Sequence, residues 1–540
     1  MKAIIKSLLA AGVIGMTASC TDLDLKPESQ YTEYPSSEIA QEAKLADVYF
    51  HLRGTLGRRY MEAQCLSSDE WVGYSFGASN YWDQGTYQHA CLHCFSPDDA
   101  TIDWFEDVTS GITKANTAIA EMGAESTGSA AARAMRAYYH WILVDCYGDS
   151  PLLNHKMEEG EVVAREPRAK VTEWIASELE AIIPQLTTDV TTNTYGKPTR
   201  WMAEALLAKV YLNWPVYTAA TADAYDANSY SNPKLQRVVE LCDDIMKSGK
   251  FDLVDGAEGH KCGNTYRAKF TPDNGPHIKD FIYAMPFDAI TQQGFQYGRP
   301  RTWKNAKNYS YYGTKLSNSV GGNFAMTPEM SDLFTLAGDA RNEMILAGQI
   351  YEFDAVTYAK TDKPYQFEDK NVVLTKDINI VDSVYLAVSN DVDGYSQGYK
   401  SVKWFIIDAD FMNGRHQSND LPIFRLADVI MMKAEAILRG ATATNGDTPM
   451  SLLNQIRAYN NAPLFTTAPT LQDVLDERGR ELFDENWRRN DMIRFGKFES
   501  EYGAHKKDMK YANFDPKHRI FPIPTSVLSK NEGWKQNPGY

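Results

Sequence analysis

Amphipathic helix patterns occupy both ends of this 540-residue chain and leave its middle irregular. Apolar residues recur at three- and four-residue steps near 38–53, 103–122, 130–147, 168–187, 198–214, 234–249, 423–439, 448–460 and 471–495. From about 251 to 420 the chain shows short strand-like pieces, Phe281–Phe287 and Asn371–Val381, between loops rich in Gly, Asn and Asp. These patterns predict a mostly α fold with long irregular loops and a few short strands.

Small residues on the helical segments indicate how the helices pack. Ala134, Ala205, Ala208, Ala434 and Ala436 allow close approach of neighbouring helices, as in stacked helical hairpins. No clean 34-residue period is present, so any tetratricopeptide-like repeats carry long insertions. We therefore predict a tetratricopeptide-like helical scaffold.

The N-terminus has the pattern of an export signal. Lys2 and Lys6 precede a short apolar run, Ser7–Met16, and small residues lead to Cys20. A basic start, a short hydrophobic stretch and a small-residue exit are typical of a secretory signal that is too short to span a bilayer. Thr17-Ala18-Ser19-Cys20 resembles a bacterial lipobox, which predicts lipidation of Cys20. Cleavage to a soluble protein is the alternative.

These features divide the chain into three parts. We predict a signal peptide at 1–19, a lipid-anchored tether at 20–37 and a single body at 38–540, helical over 38–250 and 421–540, with a ligand-facing insertion at 251–420. An insertion this long inside a compact protein is more often functional than idle.

The charge balance excludes one class of partner. With 71 acidic and 55 basic residues the net charge is −16, so the chain lacks the basic surface that nucleic acid requires. We predict no nucleic-acid partner.

No catalytic motif in the sequence stands in the structural context that its chemistry requires. Gly73-Tyr74-Ser75-Phe76-Gly77 matches the G-x-S-x-G pattern, but its neighbours do not form the apolar strand and helix that a nucleophile elbow needs. No phosphate-binding glycine loop and no His-Glu-x-x-His motif is present, and no carboxylate pair stands in a recognisable context. We predict that the protein is not an enzyme.

The cysteine and acidic motifs leave alternatives open. Six cysteines follow the signal, namely Cys65, Cys91, Cys94, Cys146, Cys242 and Cys262. Cys91 and Cys94 beside His89 allow half of a zinc site, a local disulfide or free thiols.

Asp391 and Asp393 resemble part of a calcium loop whose other positions do not fit, so structural calcium elsewhere remains an alternative and no cofactor is predicted.

Two aromatic-rich segments are the strongest candidates for ligand binding. The first holds six rings in 17 residues, namely Trp71, Tyr74, Phe76, Tyr81, Trp82 and Tyr87; the second holds six in 18, namely Phe295, Tyr297, Trp303, Tyr309, Tyr311 and Tyr312. Their non-helical spacing indicates loops, in which rings can bind the apolar faces of sugars while polar neighbours bind the hydroxyls. We predict contacts from Trp71, Tyr74, Asn80, Tyr81, Trp82, Tyr297, Arg299, Trp303, Tyr309 and Tyr311. The alternative is that several of these rings only pin loops to the body.

A set of motifs spread over the chain carries a family resemblance. They are Ala131–Tyr139 leading to Leu143–Pro151, Phe424–Ile430 with Lys433–Ala436, Asn454–Ala458, Arg480–Arg488, Asp491–Lys497, Phe521–Pro524 and Gln536–Tyr540. From roughly residue 20 onward the chain resembles the SusD/RagB family, surface lipoproteins of Bacteroidetes nutrient-uptake systems. Asn486 stands where that family usually has Gly.

One of these motifs contains a ladder of charges. Glu485, Arg488, Asp491 and Arg494 alternate in sign at three-residue spacing, which predicts i,i+3 pairs along one helix. Because removing one partner of a buried pair strands a charge, we interpret these residues as structural.

The resemblance implies a function without bond cleavage. It implies a cell-surface lipoprotein of the outer membrane that captures oligo- or polysaccharide and delivers it to a SusC-like TonB-dependent transporter. An alternative is a lid or assembly subunit for uptake of peptide or another nutrient, with little glycan affinity of its own. A hydrolase is the third hypothesis. The glycan itself is not evident from the sequence.

Overall fold

The computed structural model describes residues 38–77, 85–124, 126–304 and 312–540. It divides into a unit of Met1–Ala46, of which only the start of the first helix is described, and a compact unit of Asp47–Tyr540 that the following paragraphs concern. The predicted signal peptide at 1–19, Cys20 and the tether at 20–37 lie outside the described residues.

Helices form the framework. They are α1 Glu38–Tyr49, α2 Arg53–Leu56, α3 Arg59–Leu66, α4 Thr86–Cys91, α5 Phe105–Met122, α6 Thr127–Tyr147, α7 Arg168–Ile182, α8 Arg200–Leu212, α9 Trp214–Tyr217, α10 Leu235–Lys247, α11 Thr265–Ala268, α12 Gly298–Arg301, α13 Pro328–Ser331, α14 Val392–Tyr395, α15 Asp408–Phe411, α16 Leu426–Leu438, α17 Pro449–Tyr459, α18 Leu471–Glu481, α19 Arg488–Arg494 and α20 Thr525–Lys530.

The strands are short. They are β1 Trp71–Gly73, β2 Ser75–Phe76, β3 Ser150–Pro151, β4 Arg165–Glu166, β5 Phe281–Met285, β6 Phe324–Met326, β7 Ile345–Leu346, β8 Gly348–Gln349, β9 Tyr351–Phe353, β10 Lys360–Pro364, β11 Gln366–Phe367, β12 Lys370–Asn371, β13 Val373–Leu374, β14 Ala387–Val388, β15 Lys400–Ser401 and β16 Leu421–Arg425.

The long helices pack in a chain of neighbours. α5 packs on α6, α6 on α7, α7 on α8, α8 on α10, α10 on α16 and α16 on α17. The small residues at the contacts, Ala134, Ala205, Ala208, Ala434 and Ala436, are fully buried. The predicted mostly helical, hairpin-stacked fold is confirmed.

Local chemistry sets the helix ends. The side chain of Ser126 accepts a hydrogen bond from the Ser129 amide before α6, and that of Thr199 accepts one from Met202 before α8. α6 ends at Gly148, where φ is +76°, as the sequence predicts for a residue that glycine tolerates best.

The middle of the chain is built from two-stranded pairs around a core of its own. That core includes Trp303, Phe353 and Phe405. β5 pairs antiparallel with β16, while β1 pairs with β6 and β2 with β14. These pairings tie residues 281–425 to the segment that begins at Trp71, so the irregular part of the fold borders the first aromatic segment.

The predicted single helix at 471–495 is wrong. The chain forms α18 and α19 with a break at 482–487, where Asp484 and Asn486 have φ of +63° and +70°. Asp and Asn tolerate this left-handed conformation better than most residues, which explains Asn486 at a position where glycine is usual in the family. Glu485 therefore does not lie on the helix that carries Arg488, Asp491 and Arg494.

The charges of that ladder are buried and paired mainly across elements. Arg425 pairs with Asp280, Glu481 and Glu485 at 2.6–2.9 Å, and it is 1% exposed. Other buried pairs join Arg341 to Glu477, Arg478 to Asp428 and Asp491, Arg488 to Asp69, Arg494 to Glu435 and Asp491, and Lys403 to Glu485. The i,i+3 prediction holds for Asp491 with Arg494 only, because Glu485 lies outside α19.

The cysteine and acidic motifs take structural roles. All six cysteines are free thiols, so the disulfide alternative is wrong. His89 Nδ1 lies 2.7 Å from Asp99 Oδ1, and burial raises the pKa of Cys91 and of Cys94 to about 12. Among the described residues no group of His, Cys, Asp and Glu side chains could hold a metal ion. Asp391 caps α14 by accepting from the Gly394 amide at 2.9 Å.

No helix within the described ranges has both the length and the apolar character needed to cross a bilayer.

We predict that Arg425→Met lowers the free energy of unfolding by about 3–5 kcal/mol, because three carboxylates lose a buried cation. Urea denaturation followed by circular dichroism measures the change. Arg237→Met is the control, since Arg237 is 35% exposed in its pairs with Glu180 and Glu240 and should cost less than about 1 kcal/mol. An equally small change for Arg425→Met would contradict the structural role of the network.

Candidate functional site

Four of the predicted ligand-contact rings are buried. Trp71, Tyr74, Tyr297 and Trp303 are at most 1% exposed. The prediction that these four rings contact a ligand is wrong, because each ring packs inside the body, where it acts as a loop pin, the alternative that the sequence left open.

The partners of these rings explain their burial. The Trp71 ring packs on Phe483 with centroids 5.3 Å apart. The Tyr74 hydroxyl donates to the Gln397 carbonyl at 2.9 Å, and the Tyr297 hydroxyl donates to the Leu56 carbonyl at 2.8 Å. Trp303 Nε1 donates to Ser396 Oγ at 3.2 Å. Buried phenol and indole groups usually find a hydrogen-bond partner, as Tyr74, Tyr297 and Trp303 do here, whereas Trp71 is held by ring packing.

The other predicted contacts, Asn80, Tyr81, Trp82, Tyr309 and Tyr311, lie outside the described residues and remain predictions. They belong to two stretches, 78–84 and 305–311, that we call the aromatic segments. The residues that flank these segments are described, and they show which parts of the body adjoin each segment in the sequence.

The described residues that precede the two aromatic segments lie against each other. Phe76, just before the first segment, lies under the ammonium group of Lys304, which directly precedes the second; Lys304 Nζ is 4.0 Å from the centre of the Phe76 ring. Lys304 Nζ is also 4.4 Å from the centre of the Tyr395 ring. The structure thus brings together Phe76 and Lys304, which are more than 200 residues apart in the sequence.

Sequence reasoning missed part of the rim around this junction. Tyr395 is partly exposed, packs edge-on against Phe76 and donates to Asn390 Oδ1 at 2.8 Å. Tyr385 is 38% exposed, and its carbonyl accepts from the Ser75 hydroxyl. Both tyrosines lie in the 251–420 insertion. Tyr385 is an isolated ring, whereas Tyr395 begins a run of four rings in 11 residues, namely Tyr395, Tyr399, Trp404 and Phe405, which was an available signal for this part of the rim.

The Ser75 hydroxyl of the G-x-S-x-G match is bound in a strand. Ser75 is 3% exposed and lies in β2, where Tyr385 accepts its hydroxyl proton at 2.7 Å. It therefore does not stand on a nucleophile elbow.

A polar recess lies beside the junction. It encloses about 440 Å³, including the space at its mouth, and is lined by Arg58, Glu62, Tyr87, Gln296, Arg299, Pro300 and Asn323. Glu62 is on α3, Tyr87 on α4 and Arg299 on α12, so the recess forms where three short helices meet. Of the predicted contacts that the structure describes, Arg299 is the one that lines this recess.

The hydrogen bonds in the recess are unevenly distributed. Glu62 accepts from Arg58 at 3.0 Å, from Arg59 at 2.8 Å and from the Tyr87 hydroxyl at 2.5 Å. Arg299 Nε and Asn323 Nδ2, by contrast, are buried and have no acceptor among the described residues. Burial and the nearby Arg415 lower the pKa of Arg299. The recess therefore holds donors without protein partners.

A buried lysine connects the walls of the site. Lys400 Nζ donates to Tyr74 Oη at 2.8 Å and to the carbonyls of Gly322 and Phe324 at 3.1 and 2.7 Å. Tyr74 precedes the first aromatic segment, and Gly322 lies directly before Asn323 of the recess. Lys400 thus positions both sides of the site.

Two larger clefts lie elsewhere on the molecule. One of about 780 Å³ is lined by residues that include Arg168 and Lys517, and one of about 1020 Å³ by residues that include Phe105 and Trp534. Neither is lined by a residue of the aromatic-rich stretches 71–87 and 295–312, which supply Tyr87, Gln296, Arg299 and Pro300 to the recess, so the recess remains the candidate site.

The fold and site together define a class: a helical scaffold of stacked hairpins that presents a loop-built binding face. Two family models match the chain, one described as the SusD family over residues 279–540 and one described as starch-binding associating with outer membrane over residues 23–212. The chain belongs to the SusD/RagB family.

Known proteins agree with this assignment. The starch-binding protein SusD of Bacteroides thetaiotaomicron is 23% identical over 474 residues, which is 82% of this chain and 77% of that protein. The structure of surface glycan-binding protein A from Bacteroides fluxus aligns with a TM-score of 0.69 at 18% identity, covering 94% of this chain and 100% of the other. Surface glycan-binding protein A from Bacteroides thetaiotaomicron in complex with laminarihexaose aligns with a TM-score of 0.63 at 16% identity, covering 93% and 99%. The structural matches establish the fold.

We predict that Lys400→Met removes the part of the pH dependence of the unfolding free energy that comes from the Lys400 ammonium group. Burial lowers the pKa of Lys400 from 10.5 to about 7, so between these values the unfolded chain binds more protons than the folded one. Stability from this group therefore rises with pH across that window, and the free energy of unfolding of wild type relative to Lys400→Met should increase by about 1.5 kcal/mol from pH 7 to pH 8.5.

Urea denaturation at the two pH values measures this difference. Lys363→Met serves as the control, because the Lys363 side chain is 71% exposed and its loss should leave the pH dependence unchanged. If the unfolding free energies of wild type and Lys400→Met change with pH in parallel, the lowered pKa of Lys400 is refuted.

Proposed function

We propose that this protein is a non-catalytic, cell-surface glycan-binding protein. The observation that carries the proposal is the contact between Phe76 and Lys304, which precede the two aromatic segments, beside a recess with unpartnered hydrogen-bond donors. Aromatic rings bind the apolar faces of sugars and polar groups bind their hydroxyls, so this combination suits a carbohydrate.

The relatives support this proposal. The curated relative is a starch-binding protein, and two structures with the same fold are surface glycan-binding proteins, one of them in complex with laminarihexaose. We propose that the present chain likewise binds an oligo- or polysaccharide through its aromatic segments and recess.

The recess supports a role in binding rather than hydrolysis. Glycoside hydrolysis requires two carboxyl groups at about 5–10 Å from each other. Among the described lining residues Glu62 is the one carboxylate, and its oxygens accept hydrogen bonds from two arginines and Tyr87. A group bound in this way stabilises the recess instead of exchanging protons with a ligand.

We propose an outer-membrane location with the lipid attached to Cys20. One matching family model describes starch binding that associates with the outer membrane. Delivery of the glycan to a SusC-like TonB-dependent transporter is part of the proposal and rests on the family resemblance.

We predict that Trp82→Ala weakens glycan binding roughly 2- to 10-fold without loss of stability, because a stacking ring contributes about 0.5–1.5 kcal/mol. Affinity gel electrophoresis against a polysaccharide panel measures binding, and a thermal melt checks the fold. Tyr511→Ala is the matched control, since Tyr511 is 41% exposed and does not line the recess.

Two further variants distinguish rings that contact the glycan from rings that stabilise the fold. Trp71→Ala and Trp303→Ala remove buried rings and should lower stability by about 3–5 kcal/mol. If the panel shows no retained glycan while the protein co-purifies with a transporter barrel, the alternative role as a lid or assembly subunit replaces the proposal.

We predict that Cys20→Ala moves the protein from the membrane to the soluble fraction, because a diacylated cysteine supplies the lasting membrane affinity of such anchors. Fractionation with detection by immunoblot, and metabolic labelling with a fatty-acid analogue, measure the change. Cys65→Ala is the control, since Cys65 is a buried free thiol of the body. Unchanged membrane association and labelling in Cys20→Ala would refute lipidation at this residue.

A further inference from the structure

We infer that the polar recess binds an anionic group of the ligand, so that the glycan is an acidic polysaccharide carrying uronic acid carboxylates or sulfate esters. This inference rests on the proposed glycan-binding function and adds the chemical class of the glycan. It is argued from the charge of the recess and from its unpartnered donors.

The recess is positively charged in a strongly acidic protein. Arg58 and Arg299 line it together with one carboxylate, Glu62, which also pairs with Arg59 at 2.8 Å. Arg415 lies close enough to lower the pKa of Arg299, after the larger effect of burial. Among the described residues two guanidinium groups and one carboxylate therefore line the recess, while the whole chain has a net charge of −16.

The carboxylate does not neutralise Arg299. The Glu62 oxygens are held by Arg58, Arg59 and Tyr87, and among the described residues Arg299 forms no ion pair. The backbone carbonyl of Arg299 accepts from the amides of Gly321 and Gly322 at 3.1 and 3.3 Å, which holds α12 beside Asn323. The fold thus holds the backbone of Arg299, and its guanidinium group has no counter-ion among the described residues.

Two donors in the recess lack acceptors. Asn323 is 2% exposed, and its Nδ2 has no partner among the described residues; Arg299 Nε is also buried and unpartnered. A buried donor without an acceptor costs free energy, which a ligand oxygen can recover. Both donors border the same recess, so one oxygen-bearing group can satisfy them together.

The charge favours an anion over a neutral hydroxyl. A hydroxyl can accept from Asn323, but it leaves the positive charge of Arg299 uncompensated. Carboxylate and sulfate oxygens accept charge-assisted hydrogen bonds from guanidinium, which are stronger than neutral ones. The aromatic segments add one acidic residue, Asp83, and one basic residue, Lys307, so their sequences do not offset this excess.

The test compares acidic and neutral oligosaccharides by isothermal titration at fixed ionic strength. The carboxylate probe is oligogalacturonate, the sulfate probe is a sulfated galactan oligosaccharide, and the neutral probes are maltohexaose and laminarihexaose. We expect an acidic probe to bind more tightly than both neutral probes, with an affinity that falls as salt rises. The acidic probe that binds identifies which of the two anionic groups the recess takes.

Variants assign the binding to the recess. Arg299→Gln should weaken the acidic probe about 10- to 100-fold, the loss expected for a charge-assisted hydrogen bond. Asn323→Asp keeps the side-chain shape but replaces the donor with a second anion, and it should weaken the same probe comparably. Arg237→Gln, whose partners Glu180 and Glu240 do not line the recess, should bind as wild type. Thermal melts confirm folding, and Arg299→Lys retains the charge if Arg299→Gln does not fold.

The outcomes distinguish this inference from the proposed function. Binding of neutral probes alone overturns the acidic subsite and leaves glycan binding in place. Acidic binding that is unchanged in both Arg299→Gln and Asn323→Asp also overturns the recess as its location. Absence of binding to every probe overturns both.

Discussion

The buried ion-pair network is the interaction on which the rest of the structure depends. Arg425, at the end of β16, holds carboxylates from the middle of the chain and from α18, while Arg488 reaches Asp69 near the N-terminal side of the body. Charges removed from water are tolerated only when a partner of opposite charge lies close by. The side chains of the network must therefore keep their positions relative to one another. The network thereby fixes helices and irregular segments that are distant in sequence into a single arrangement.

A rigid interior of this kind gives the candidate site fixed supports. Trp71, Tyr74, Tyr297 and Trp303 anchor the bases of the aromatic segments, and Lys400 ties the strand next to the recess to the segment that starts at Tyr74. Because these anchors hold the loop bases, the residues between them can vary with the ligand without altering the scaffold. A binding face on rigid supports also loses little entropy when it meets a ligand.

Much of the fold could be predicted from the sequence because helices are encoded locally. The apolar spacing located α5, α6, α8, α10 and α16 to within a few residues, and Gly148 marked the end of α6. The error at 471–495 has a local cause too, since Asp484 and Asn486 adopt left-handed backbone that their neighbours' periodicity conceals. The candidate site was harder to predict: aromatic density selected two stretches, but it did not distinguish the rings that pin a loop, such as Trp71 and Trp303, from rings that could meet a ligand.

The sequence by itself determined the helical class and the family, and it nominated two aromatic segments as candidates for ligand binding, because periodicity and composition are properties of short windows. Only the tertiary structure decided that Phe76 and Lys304, which precede those segments, lie in contact, that Trp71 and Trp303 are buried, and that Arg299 and Asn323 border one recess with donors that lack acceptors among the described residues. The physical reason is that exposure and charge compensation depend on contacts between residues hundreds of positions apart, which no local pattern records.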